Sequence, residues 1–304
     1  MLLLVEQLLN GLQLGIMLFL MSAGLTLVFG IMQVINLAHG SFYMIGAYVG
    51  ATVAAATGNF LLGLAASLPA AALCGMLIEV LVLRRLYNRE HLDQVLATFG
   101  LIMFFNELVR IIWGRQPLFL DIPTWLSGSI QLLPGLHYPL YRLAIIGAGL
   151  TVALFLWLLF SRSRLGMHIR AGASNREMAG ALGVNIRLLY TMVFGLGTAL
   201  AGLAGFMAGP ILAVEPGMGE NILILTFVVI VIGGLGSIRG AVVGALLVGL
   251  VDTLGRAFLP TLFRLLFDSA AADGAAASLS SMSVYILMAA ILIWKPQGLL
   301  PAHT

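Results

Sequence analysis

The stretch FGIMQVINLAHGSFYMIGAYVGATV, Phe29 to Val53, is apolar enough to lie in a membrane, yet it breaks in the middle. Asn36 and His39 interrupt it, and Gly40 follows directly. At membrane depth, broken backbone is tolerated only where protein or a water-filled cavity satisfies the freed N–H and C=O groups. The pattern therefore predicts one helix running into the break and a second leaving it near His39, within a membrane-embedded bundle. A second stretch has the same plan: FVVIVIGGLGSIRGAVVGALLVGLV, Phe227 to Val251. Each has an apolar segment, a break, a glycine (Gly40 or Gly240), and then a helix carrying Gly-Ala at Gly46-Ala47 or Gly244-Ala245.

The rest of the chain agrees with a membrane setting. Of 304 residues, 61% are hydrophobic and only 9% charged, where soluble domains carry about a quarter. Apolar runs near the length that spans the hydrocarbon core recur throughout. No polar stretch is long enough for a separate soluble domain, so residues 1–304 read as a single transmembrane domain. The fold class expected is all-α: a polytopic helical bundle of eight to ten spans with Gly-broken helices. Hydropathy places the spans at about 8–31, 39–57, 60–83, 93–113, 141–160, 189–213, 221–235, 240–258 and 282–294. The start, MLLLVEQLLNGLQLG, has Glu6 where a leader would carry a base, and reads as part of the first span.

Basic residues set the orientation. Ten of the 15 fall in one set of loops: Arg84, Arg85, Arg89, Arg162, Arg164, Arg170, Arg176, Arg187, Arg239 and Lys295. The positive-inside rule makes that side cytoplasmic, together with the C-terminus, and nine spans then put the N-terminus outside. Trp113, Trp125, Trp157 and Trp294 fall near span ends, as an aromatic belt requires.

On the cytoplasmic side, RAGASNREMAGALGVNIRLLY (Arg170–Tyr190) is the most polar run in the chain. Ser174 and Glu177 have the spacing of a capping box, Ala179, Ala181 and Leu182 favour helix, and Gly183 suits a left-handed stop. The predicted helix has about two turns, too few to be stable in water without a partner surface.

Glu177, Ala179 and Gly183 resemble the E-A-A-x-x-x-G pattern of the coupling helix of ATP-binding cassette importer permeases, with Met178 in place of the first Ala. INLAHGSFYMIGAY, IGGLGSIRGAVVGA and WKPQGLL, in that order, look like the LivH-type permeases of branched-chain amino acid importers, and the likeness runs over essentially the whole chain. It implies an inner-membrane subunit that pairs with a LivM-type permease, two cytoplasmic ATPases of LivG/LivF type and a periplasmic solute-binding protein. ATP and Mg would then bind in the ATPases, with no cofactor in this chain. Arg170, Ser174, Asn175, Glu177, Ala179 and Gly183 would form or flank the coupling helix. The resemblance leaves the solute open between branched-chain amino acids and the urea, short amides or aromatic acids of related permeases.

The glycine-rich breaks allow two readings: close helix packing, or a place on the translocation path or its gate. Packing suits Gly50, Gly195, Gly202 and Gly249. The polar neighbours favour the path for Asn36, His39 and Gly40, and the plan extends that to Gly46, Gly233, Gly234, Gly236 and Gly240. Among the acids, Glu107 with Arg110 and Asp252 with Arg256 have spacings for self-pairing, and Glu79 lies one turn before Arg84 and Arg85. No mid-span Asp or Glu stands alone, so the path is expected to be mostly apolar. In the outward loop AVEPGMGEN (Ala213–Asn221), Glu215 and Glu220 are candidates to meet a binding protein, or else plain solvated carboxylates.

The chain has no phosphate loop, no Ser-His-Asp set and no paired carboxylates in one polar pocket, so it is not expected to be an enzyme. Five scattered His and a lone Cys74 show no metal-ligand spacing, and nothing points to nucleic acid. Energy must come from a partner ATPase or, in the alternative class, from an ion gradient driving a self-sufficient secondary transporter.

Overall fold

In the computed structural model, residues 1–87, 89–265 and 269–302 are described, with the side chains of 269–272 and residue His303 outside the description. Eleven α-helices run through these residues: α1 Leu2–Met32, α2 His39–Thr57, α3 Phe60–Leu81, α4 His91–Trp113, α5 Leu140–Arg162, α6 Arg164–Ser174, α7 Arg176–Ala181, α8 Ile186–Ala208, α9 Met218–Gly233, α10 Ile238–Phe263 and α11 Ser269–Trp294. Every span expected from hydropathy contains one helix. Seven helices are long and apolar enough to cross a membrane, and the protein is a multi-pass helical membrane protein. The mixed loop after α4 adds what the all-α expectation lacked, a two-stranded hairpin of β1 Ser129–Leu133 and β2 Leu136–Pro139.

α1 and α8 are the buried centre. In their most apolar windows 83% and 78% of residues are buried, against 17–28% in the other five spanning helices. Small residues let the backbones close up around this pair, the usual device where lipid offers no hydrophobic drive between helices. α3 lies antiparallel on α8, with Gly63 near Phe206 at one end and Gly75 against Thr198 further along. α10 lies on α1 in the same manner through Gly249 against Gly11 and Gly15. Aromatic rings fill the wider gaps, Phe42 packing edge-on to both Phe105 and Phe194 at 5.8 and 5.7 Å.

The chain ends define two faces of the bundle. The α5–α8 connection, the start of α10 and the residues after α11 share one end, which is rich in arginine; the β-hairpin and the α2–α3 turn lie at the other. α2 and α9 do not run from face to face. α1 ends when Gln33 takes a left-handed conformation, its N–H still bonded to the Phe29 carbonyl. The chain then turns back into the bundle, and α2 starts at His39 beside the middle of α1, His39 Nε2 lying 3.3 Å from the Met21 carbonyl. α9 has only 16 residues, about 24 Å at 1.5 Å per residue, and so also begins within the bundle.

Candidate functional site: a short loop helix and a crossing of two half-helices

At the arginine-rich end the polar run forms two helices, not one. Ser163 caps α6, accepting from the Gly166 N–H. α6 continues through Ser174, so Ser174 is its last residue and does not cap the short helix. Asn175 takes that place: it breaks the backbone into an extended conformation, and its Oδ1 accepts the Met178 N–H at 2.9 Å. The expected capping box is therefore not formed: the cap moves to Asn175, N3 is Met178, and Glu177 instead sits in the first turn of α7 near the positive end of the helix dipole. Arg170 belongs to α6 and donates to the Phe160 carbonyl at the end of α5.

The stop is as expected. Gly183 has φ of 90°, its N–H bonds to the Gly180 carbonyl, and the Val184 N–H reaches back to Ala179. These two bonds make a Schellman motif. α7 turns Ala179 inward, while Met178 and Leu182 are exposed at 60% and 79%. Two large apolar side chains thus project from a polar surface, one on this six-residue helix and one at its C-cap.

The foot of α8 is clamped. Glu79 at the end of α3 is fully buried and accepts from Arg84 at 3.0 Å, Tyr87 at 2.5 Å and Thr191 of α8 at 2.6 Å. Burial, and then the bond to Glu79, push the Tyr87 hydroxyl above its ordinary range, so it stays a donor. The sequence suggested only the pairing with arginine; Tyr87 and Thr191 carry no signal that would have found them.

The second region is the pair of half-helices. The first turns of α2 and α9 cross at Gly40 and Gly219, so close that a methyl on either would collide with the other's backbone. Asn36 and His39 are fully buried beside this crossing, and the Asn36 amide and His39 Nδ1 have no hydrogen-bond partner among the described residues. Gly46 packs on Gly202 of α8. Gly233 packs on Gly240 across the α9–α10 turn, Gly234 (φ 108°) on Pro301, and Gly236 on Gly30. The tail WKPQGLL closes this turn from below: the Leu299 and Leu300 N–H groups bond to the Ile232 and Gly233 carbonyls, both at 2.9 Å. Two motifs that read as separate in the sequence are one structure here. Gly236 also lines a cavity of about 490 Å³ with Thr26, Arg170, Arg239 and Leu300.

The two matching breaks of the sequence lie at different depths. The one before α2 is inside the bundle and the one before α10 is at its end. The partner of Gly40 is Gly219, not Gly240. Of the outward-loop acids, Glu215 is exposed before α9, whereas Glu220 is in the first turn of α9 and accepts from Asn106 of α4 at 2.6 Å. Glu107 and Asp252 pair with Arg110 and Arg256 at 2.5 and 2.9 Å, as their spacing predicted.

Residues 7–293 match the family described as branched-chain amino acid transport system, permease component. The chain belongs to that family. It is similar to the high-affinity branched-chain amino acid transport permease BraD of Pseudomonas aeruginosa, at 30% identity over 97% of this chain and 95% of the relative. It is also similar to the LivH permease of Escherichia coli, at 32% over 85% and 88% respectively. A probable LivH permease of Methanocaldococcus jannaschii is 27% identical over 81% and 79%. No solved structure matches. For this permease, the likeness extends well beyond the three sequence motifs.

Proposed function

We propose that this permease is the LivH-type subunit of an importer for the branched-chain amino acids Leu, Ile and Val. The observation that carries the proposal is the family match from residue 7 to residue 293. Paired with a LivM-type permease, it would sit in the bacterial inner membrane with the arginine-rich end and C-terminus in the cytoplasm, the orientation that its basic loops favour. Two ATPases of LivG/LivF type would bind ATP and Mg, and a periplasmic binding protein would deliver the solute.

In this reading α7 is the contact with an ATPase. A helix of six residues cannot hold itself in water, but Asn175, Gly183 and the flanking helices fix its ends, leaving Met178 and Leu182 as anchors for a groove. The Glu79 clamp ties the base of α8 to α3, so a push on α7 reaches α8, one of the two central helices, with little slack.

The test is uptake of labelled leucine into vesicles holding this chain with its partner permease and ATPases, with the binding protein supplied. Uptake that needs ATP and survives a protonophore supports the proposal; uptake driven by an ion gradient alone refutes it.

A further inference from the structure

Glu220 lies in the first turn of α9, where the helix dipole favours an acid, but at a depth where lipid does not. It stands one turn into α9, about 20 Å along that helix from its arginine-rich end at Gly233. Its partner Asn106 lies about 10 Å short of the far end of α4 at Trp113. Both measures put the pair inside a hydrocarbon layer about 30 Å thick. Yet Glu220 is exposed on the surface of the chain, and its one side-chain hydrogen-bonding partner among the described residues is a neutral amide. A charged side chain at such depth is costly against lipid and is retained where it faces water, protein or a permeating solute. Of the other acids in or beside the membrane-crossing helices, Glu79, Glu107 and Asp252 each have an arginine partner. Glu6 and Asp93, which have none among the described residues, lie near the starts of α1 and α4, where water is close. Glu220 has no arginine partner among the described residues either.

The surroundings fit a small cation. Glu220, Asn106, Gly40, Ser41 and Gly219 line a cleft of about 10 Å³, the lower limit for one water-sized group, so it admits the tip of an ammonium and no more of a solute. Met44 and Leu223 add apolar walls beside it. Gly40 and Gly219 bring the backbones of α2 and α9 into contact at the edge of this cleft.

We infer that Glu220, positioned by Asn106, meets the ammonium group of an amino-acid zwitterion on its way through the membrane. Ammonium and carboxylate pair by charge-assisted hydrogen bonds, stronger when desolvated than in water. The inference rests on the importer reading above and gives its solute one defined contact. It also replaces the apolar path expected from the sequence with one that carries a charge.

Two measurements on the assembled complex test it. Uptake at sub-saturating leucine by Glu220→Gln should fall about tenfold or more, the loss of one hydrogen bond to a charged group, with subunits still co-purifying. Glu220→Asp should restore part of it. In a Cys74→Ala background, the Glu220→Cys variant should react with a water-soluble cationic methanethiosulfonate, and saturating leucine should slow that reaction. Glu220→Gln uptake within twofold of the unsubstituted complex, or a thiol at 220 that is unreactive or indifferent to leucine, overturns the inference and leaves the importer reading standing. No ATP-driven leucine uptake by the unsubstituted complex overturns both.

Discussion

Gly40 and Gly219 meet backbone to backbone, with no side chain between the first turns of α2 and α9. Overpacking a core costs about 1–3 kcal/mol when side chains can shift, and here the obstacle is main chain. Gly40→Val or Gly219→Val should therefore lower the melting temperature in detergent and reduce recovery of the complex. Gly100→Ala is the control: the added methyl meets nothing within 4 Å, so the helix of α4 should be unchanged or slightly more stable.

Glu79 is fully buried and holds three donors. Glu79→Gln removes the charge and should cost about 2 kcal/mol or more. Tyr87→Phe, which deletes one donor and leaves the arginine in place, should cost about 1 kcal/mol. Chemical denaturation of the detergent-solubilised chain reads both, and equal stability of Glu79→Gln and the native protein would remove the clamp from the account.

Gly183 sits at φ of 90° with open space around it, so strain alone decides what it tolerates. A β-branched residue there should cost about 1–2 kcal/mol and unseat the end of α7. Gly183→Val, and separately Glu177→Lys at the positive end of the helix, should leave the chain inserted but uncouple ATP hydrolysis from uptake. Gly183→Asn should be milder, since Asn accepts the left-handed conformation. Hydrolysis and uptake measured on the same vesicles give the ratio that decides.

The sequence was most informative where a residue acts through its own chain neighbours. Gly183 as a stop, the Glu107–Arg110 and Asp252–Arg256 pairs, and the position of each apolar helix all follow from local spacing. It was one residue out at Asn175, because Ser174 has equal capping chemistry and only the continuation of α6 separates them. It failed where function depends on contacts between distant segments. Asn106 and Glu220 are 114 positions apart, and Glu220 looked like a residue of an outer loop because α9 is too short to betray that it starts inside the bundle. The repeat of Gly-rich breaks placed Gly40 and Gly240 at matching positions but gave no sign of the distant segment on which Gly40 packs, at Gly219.

The central claim is that α7 is where a separate motor takes hold, and cross-linking tests it most directly. Ala179 faces inward, so the probes belong at the exposed positions, Met178→Cys and Leu182→Cys, in a Cys74→Ala background. In native membranes each should be captured by a short bifunctional reagent to an ATP-hydrolysing neighbour, with a yield that changes when nucleotide is added. Efficient labelling of both thiols with no such neighbour captured, with or without nucleotide, would contradict the account.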